Sequence, residues 1–102
     1  MSITKKYLKS KPVCKVTFKL SKELANGASS VHLVGDFNGW DTQAEPMEAM
    51  KSGAFSATLD LEQGKEYQFR YLLDGAAWAN DDEADKYVSS PFSDAQNAVV
   101  IV

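Results

Sequence analysis

Hydrophobic and polar residues alternate with period two along most of this chain, and turn-forming residues interrupt the alternation at intervals. Cys14, Val16, Phe18 and Leu20 fall on one side and Lys15, Thr17 and Lys19 on the other, predicting a half-buried strand over 14–20. The pattern recurs where Phe55, Ala57, Leu59 and Leu61 alternate with Ser56, Thr58 and Asp60. It recurs again where Tyr67, Phe69, Tyr71 and Leu73 alternate with Gln68, Arg70 and Leu72. Val31 and Leu33 point one way and His32 and Val34 the other, which makes 31–34 a further strand. Asn26-Gly27 and Gly64 mark turns, and Asp74-Gly75 is a strong hairpin signal with 76–79 as its return strand. The β-branched run at 98–102 suits a final strand, 47–50 a short extended piece, and 83–88 at most one helical turn.

Six to seven short strands without a sustained helical pattern predict an all-β fold, an immunoglobulin-like antiparallel β-sandwich. A small barrel is the alternative. The Cys…Trp…Cys signature of antibody domains is absent, so the likeness to them is architectural. At 102 residues the chain is long enough for one core without metal or disulfide support. The expected division is a basic N-terminal arm over 1–12 and a single domain over 13–102.

Cys14 is the only cysteine, which excludes an intrachain disulfide and a CxxC metal site. The N-terminal stretch has lysines but no apolar run of the signal-peptide kind, and no segment reaches the length of a membrane span. The expectation is a soluble, cytoplasmic protein with no membrane partner. Residues 1–24 carry seven lysines against Glu23, net +6, and residues 25–102 carry four basic groups against thirteen acidic ones, net −9. Lys15 and Lys19 fit the outer face of a strand, and an acidic body repels a phosphate backbone, so no nucleic-acid partner is expected.

Catalytic constellations are lacking. His32 is the single histidine and sits within a strand, and Cys14 belongs to the core face. No G-x-S-x-G, H-E-x-x-H or P-loop pattern occurs. The acidic stretch "NDDEAD", with Asp81, Asp82, Glu83 and Asp85, reads as a solvated loop. A glycosidase acid/base pair needs carboxylates facing each other across a cleft, and this stretch does not match a calcium-loop pattern. Neither cofactor nor metal is expected.

Several aromatic and polar residues lie outside the core pattern. Trp40 follows Asn38-Gly39, Trp78 follows the Asp74-Gly75 turn, Arg70 sits on the polar face of its strand and Asn97 precedes the last strand. A sugar ring has apolar C–H faces and a rim of hydroxyls, so its site needs flat aromatic platforms with Arg or Asn around them. Tryptophans near turns also serve as lids on a core, and composition does not choose between the two roles.

"VHLVGDFNGWD", "YQFRYLLDG" and the terminal "NAVVIV" together resemble the glycogen- and starch-binding domains of carbohydrate-binding module family 48. These are the isoamylase N-terminal, early-set domains, and the chain is similar to the glycogen-binding domain of AMP-activated protein kinase β subunits over about Val13 to Val102. The lysine-rich opening and "NDDEADKYVSSPF" also resemble small stand-alone bacterial members. The resemblance implies non-catalytic binding of α-1,4-glucan, with Trp40 and Trp78 stacking on glucose rings and Arg70 and Asn97 holding hydroxyls. It also implies Phe92 in place of a family leucine, although the tail alignment puts Ser93 there. The chain departs from the family pattern by an extra residue between Gly75 and Trp78, by the loop before Asn97, and by the acidic insert. The second reading is a module of the same fold that has lost sugar binding and docks a partner such as a glucan-metabolising enzyme. Glycoside hydrolase activity would follow by family association only.

Overall fold

The computed structural model describes residues 3–81, 84–89 and 96–102. Nine strands are present among them, in the expected all-β antiparallel sandwich. They are β1 (Ile3–Tyr7), β2 (Val13–Leu20), β3 (Val31–Gly35), β4 (Glu48–Ala49), β5 (Phe55–Glu62), β6 (Glu66–Leu73), β7 (Ala77–Ala79), β8 (Lys86–Ser89) and β9 (Gln96–Ile101). One sheet has the order β1-β2-β5-β4; the other has β3-β6-β9-β8, with β7 also paired to β6. A short helix, α1 (Lys22–Ala25), follows β2. The Ser21 hydroxyl accepts from the Leu24 amide at its start, and Asn26 ends it in the left-handed region at φ 49°.

The period-two patterns turn their apolar sides inward as expected. Val16, Phe18 and Leu20 of β2 meet Phe69 and Tyr71 of β6, Val31 and Leu33 of β3, and Ala98 and Val100 of β9 in one core. Phe18 and Phe69 pack edge to face with centroids 5.0 Å apart, and Phe69 and Tyr71 do so at 5.7 Å. Lys15 and Lys19 are exposed on the outer face of the first sheet, where Lys15 lies opposite Asp60.

Two strands go beyond the expected count. Within 1–12, Ile3–Tyr7 pairs with β2, and its register puts Lys5 on the inward side opposite Val16. Lys5 Nζ donates to Asp85 Oδ2 at 2.7 Å, and the same oxygen accepts from the Ile101 amide at 2.7 Å. An inward-pointing charge of this kind closes a sandwich edge against further strand pairing. Lys86–Ser89 is a strand, not the helical turn expected there, because it pairs with β9 from Lys86↔Val99 to Ser89↔Gln96.

Of the acidic stretch, Asp82 and Glu83 lie outside the described residues, and Asp81 differs from the solvated loop expected there. Asp81 is only 2% exposed and accepts from the Tyr71 hydroxyl at 2.7 Å, while its backbone carbonyl accepts from the Tyr87 hydroxyl at 2.6 Å. The Tyr71 hydroxyl of β6, invisible in local polarity, draws this carboxylate inward. Asp81→Ala removes an acceptor from a buried hydroxyl and is expected to destabilise the fold by about 1–3 kcal/mol in chemical denaturation. Glu62, by contrast, is fully exposed, and its hydrogen bond and charge interaction with Lys65 hold its carboxyl below the usual range. That contribution is present above the ordinary carboxylate pKa and fades as pH falls, and exposure to solvent keeps it small.

Candidate functional site

Antiparallel register decides which side chains share a face. On β6, Gln68, Arg70 and Leu72 point away from the core that Phe69 and Tyr71 enter. Val34 lies opposite Arg70 and His32 opposite Leu72 on β3, so these share the outer face. On the other flank β6 pairs first with β9, from Glu66↔Ile101 to Phe69↔Ala98, and then with β7, from Tyr71↔Ala79 to Leu73↔Ala77. The change of partner falls at Arg70. Asn80 Nδ2 bridges it by donating to the Gln96 carbonyl at 2.5 Å.

Trp78 lies opposite Leu72 and therefore on this outer face, with 46% of its surface exposed. The extra residue after Gly75 is absorbed in the hairpin connection, where Asp74 and Gly75 take φ of 52° and 69°. Asp74 Oδ1 accepts from the amides of Ser29 and Ser30 at 2.8 and 3.0 Å, which holds that turn against the segment leading into β3.

The other tryptophan is positioned by the stretch after β3. A Cβ on Gly35 would stand 2.5 Å from the Gln68 carbonyl oxygen and 2.8 Å from the Phe69 Cβ, so only glycine permits this approach to β6. Gly35→Ala is expected to cost about 1–3 kcal/mol, read as a lowered denaturation midpoint. Residues Asp36–Asn38 then form a single 3-10 turn. Phe37 folds back against Phe18 and Tyr67, with centroids 5.6 and 6.2 Å away. Asn38 accepts from the Gly35 amide and donates to the Leu33 carbonyl, closing the turn onto its own strand. Gly39 and then Trp40 adopt left-handed backbone, at φ 66° and 60°. Trp40 is half-buried, and its indole Nε1 donates to Asp36 Oδ1 at 2.8 Å.

Asp36 Oδ2 accepts from the Gln68 amide at 2.9 Å, and Gln68 Oε1 accepts from Asn97 Nδ2 at 3.0 Å. A polar chain thus runs from Trp40 through Asp36 and Gln68 to Asn97. Trp40 is attached at the Gln68 end of the β6 face and Trp78 stands beside Leu72, four residues or roughly 13 Å further along the strand. Arg70 lies between Gln68 and Leu72 on that face.

Arg70 and Asn97 are more covered than a pair waiting for solvent-borne hydroxyls, at 9% and 4% exposed. Asn97 Nδ2 donates one hydrogen bond to Gln68, and Arg70 makes an interaction within the chain. Phe92 lies outside the described residues. Asp36 and Gln68 are the participants that sequence reasoning missed. Gln68 stands two residues before Arg70 on the same polar face, and Asp36 stands four before Trp40 in a tight turn, so both had a spacing signal. No group of three or more His, Cys, Asp or Glu side chains suited to a metal occurs among the described residues.

The described residues thus form a two-sheet antiparallel β-sandwich with Trp78 exposed on the outer face of β6 and Trp40 half-buried beyond β3. Residues 16–101 match the family model described as the glycogen recognition site of AMP-activated protein kinase. The chain belongs to that family. It is also similar to Protein PTST homolog 2, chloroplastic, of Arabidopsis thaliana, with 44% identity over 50 residues, covering 49% of this chain and 9% of that protein. Protein FLOURY ENDOSPERM 6, chloroplastic, of Oryza sativa subsp. japonica is 42% identical over 57 residues, or 56% of this chain and 10% of its own length. The 1,4-alpha-glucan branching enzyme GlgB of Photobacterium profundum is 39% identical over 46 residues, or 44% of this chain and 6% of the enzyme. The chain thus spans a tenth or less of the length of these relatives.

Proposed function

We propose that this domain binds α-1,4-glucan, as glycogen or a starch-like oligosaccharide, without acting on it chemically. The observation that carries the reading is the outer face of β6, where Trp78 and Arg70 share one side and Trp40 is tied to its far end. The tryptophan faces stack on glucose rings, and Arg70 and Asn97 meet hydroxyls at the rim, Asn97 after exchanging its bond to Gln68. Each stack is worth about 0.5–1.5 kcal/mol, by analogy with aromatic pairs. Two stacks with a few wet hydrogen bonds give a Kd on the order of 10 μM to 1 mM. Affinity in this range serves to concentrate a protein on a polymer that offers many sites.

Titration with maltoheptaose or β-cyclodextrin, followed by tryptophan fluorescence, tests the reading. A saturable change with a Kd in that range is expected, and a flat trace to about 10 mM sugar would sink it. The cover over Arg70 and Asn97 favours a second reading, a module that has given up sugar and docks a glucan-metabolising enzyme. Failure to sediment with glycogen, together with specific binding to a purified branching enzyme, would support that one.

A further inference from the structure

We infer that Asp36 is a positioning residue for the Trp40 platform, an inference that rests on the glucan reading of this face. Its two carboxylate oxygens have separate duties: Oδ1 takes the Trp40 indole N–H at 2.8 Å and Oδ2 takes the Gln68 amide at 2.9 Å. Hydrogen bonds to a carboxylate are stronger than neutral ones, so this bridge holds the ring edge against β6 despite exposure to solvent. The backbone acts in the same direction. Trp40 sits at φ 60°, a region that side-chain-bearing residues rarely adopt, and its amide donates to the Gly35 carbonyl at 2.9 Å.

Two consequences follow for recognition. The indole N–H is already committed, so Trp40 offers a sugar its flat face and not a donor. The ring is also oriented before ligand arrives, so less side-chain freedom is lost on binding. Gln68 extends the bridge to Asn97, which links the setting of the platform to a polar group on the neighbouring strand.

The test begins without ligand. In a Trp78→Phe background Trp40 is the only tryptophan, and Asp36→Ala is expected to raise its acrylamide quenching about twofold and increase its fast anisotropy decay. Unchanged quenching and anisotropy would overturn the inference whether or not sugar binds. Affinity for β-cyclodextrin is then compared in a cycle of Asp36→Ala and Trp40→Ala. Asp36→Ala alone is expected to weaken binding about two- to tenfold, no more than loss of Trp40 itself, and to add little once Trp40 is gone. Equal losses in both backgrounds would mean that Asp36 acts by some other route. Asp36→Asn keeps the side-chain size but supplies one oxygen for two N–H donors, so it is expected to give a smaller effect of the same sign in a folded protein. A wild-type chain that binds no glucan, with Trp40 still loosened by Asp36→Ala, would overturn the glucan reading and leave the clamp in place as a feature of the fold.

Discussion

Phe18→Ala is expected to lower the unfolding free energy by about 3–5 kcal/mol, among the largest stability effects in the molecule. The ring is fully buried and touches both halves of the sandwich: it belongs to β2, packs edge to face on Phe69 of β6, and supports Phe37. Removing it loses transfer free energy and leaves a cavity that close-packed neighbours fill only in part. Domains of this size are stable by about 5–15 kcal/mol, so the variant would approach the folding threshold. The loss also reaches the site. Phe37 is the anchor of the 3-10 turn that carries Asp36 and Trp40, so glucan binding should weaken even where the variant remains folded. Urea denaturation checks the first effect, and a loss below about 1 kcal/mol would contradict the packing described.

Joint replacement of Trp40 and Trp78 by alanine is expected to have the opposite profile. Two stacks worth about 0.5–1.5 kcal/mol each translate to a five- to roughly 150-fold loss of glucan affinity. Trp78 is 46% exposed on an edge hairpin, so its removal leaves the core unchanged and should alter stability by only about 0.5 kcal/mol. Trp40 is more enclosed, and its loss frees Asp36 to water without opening the core. A tryptophan acting as a core lid would behave the other way, with stability falling and binding following it. Comparing denaturation midpoints with β-cyclodextrin affinities for each single variant separates the two roles that composition leaves open.

Much of the fold is legible because its long strands obey a local rule. Residues of β2 and β5 meet the core or solvent according to their parity, and the sequence alternates accordingly, whereas on β6 the run Phe69 to Leu72 is buried on both faces. The edge strands are harder to read for a physical reason. Lys5 occupies an inward position on β1 because Asp85 meets it across the sandwich, which breaks the polarity pattern that marks a strand. β8 is four residues long and owes its form to pairing with β9. The candidate site divides in the same way. The parity of Arg70 and its distance from the Asp74-Gly75 turn point to the face it shares with Trp78. The cover over Asn97 depends on Gln68 of another strand, 29 residues away in the chain, and the inward turn of Asp81 on Tyr71 of β6. The spacing of Asp36 four residues before Trp40 is visible in the sequence, but that its second oxygen reaches the Gln68 amide of β6 is set by the folded register.

The most direct test of the account is to follow the two indole N–H signals of 15N-labelled protein during titration with maltoheptaose. Both Trp40 and Trp78 are expected to shift together with one Kd on the order of 10 μM to 1 mM, with amide shifts concentrated on the outer face of β6. Two indole signals that stay fixed up to about 10 mM sugar, tenfold above the weakest affinity expected, would contradict it.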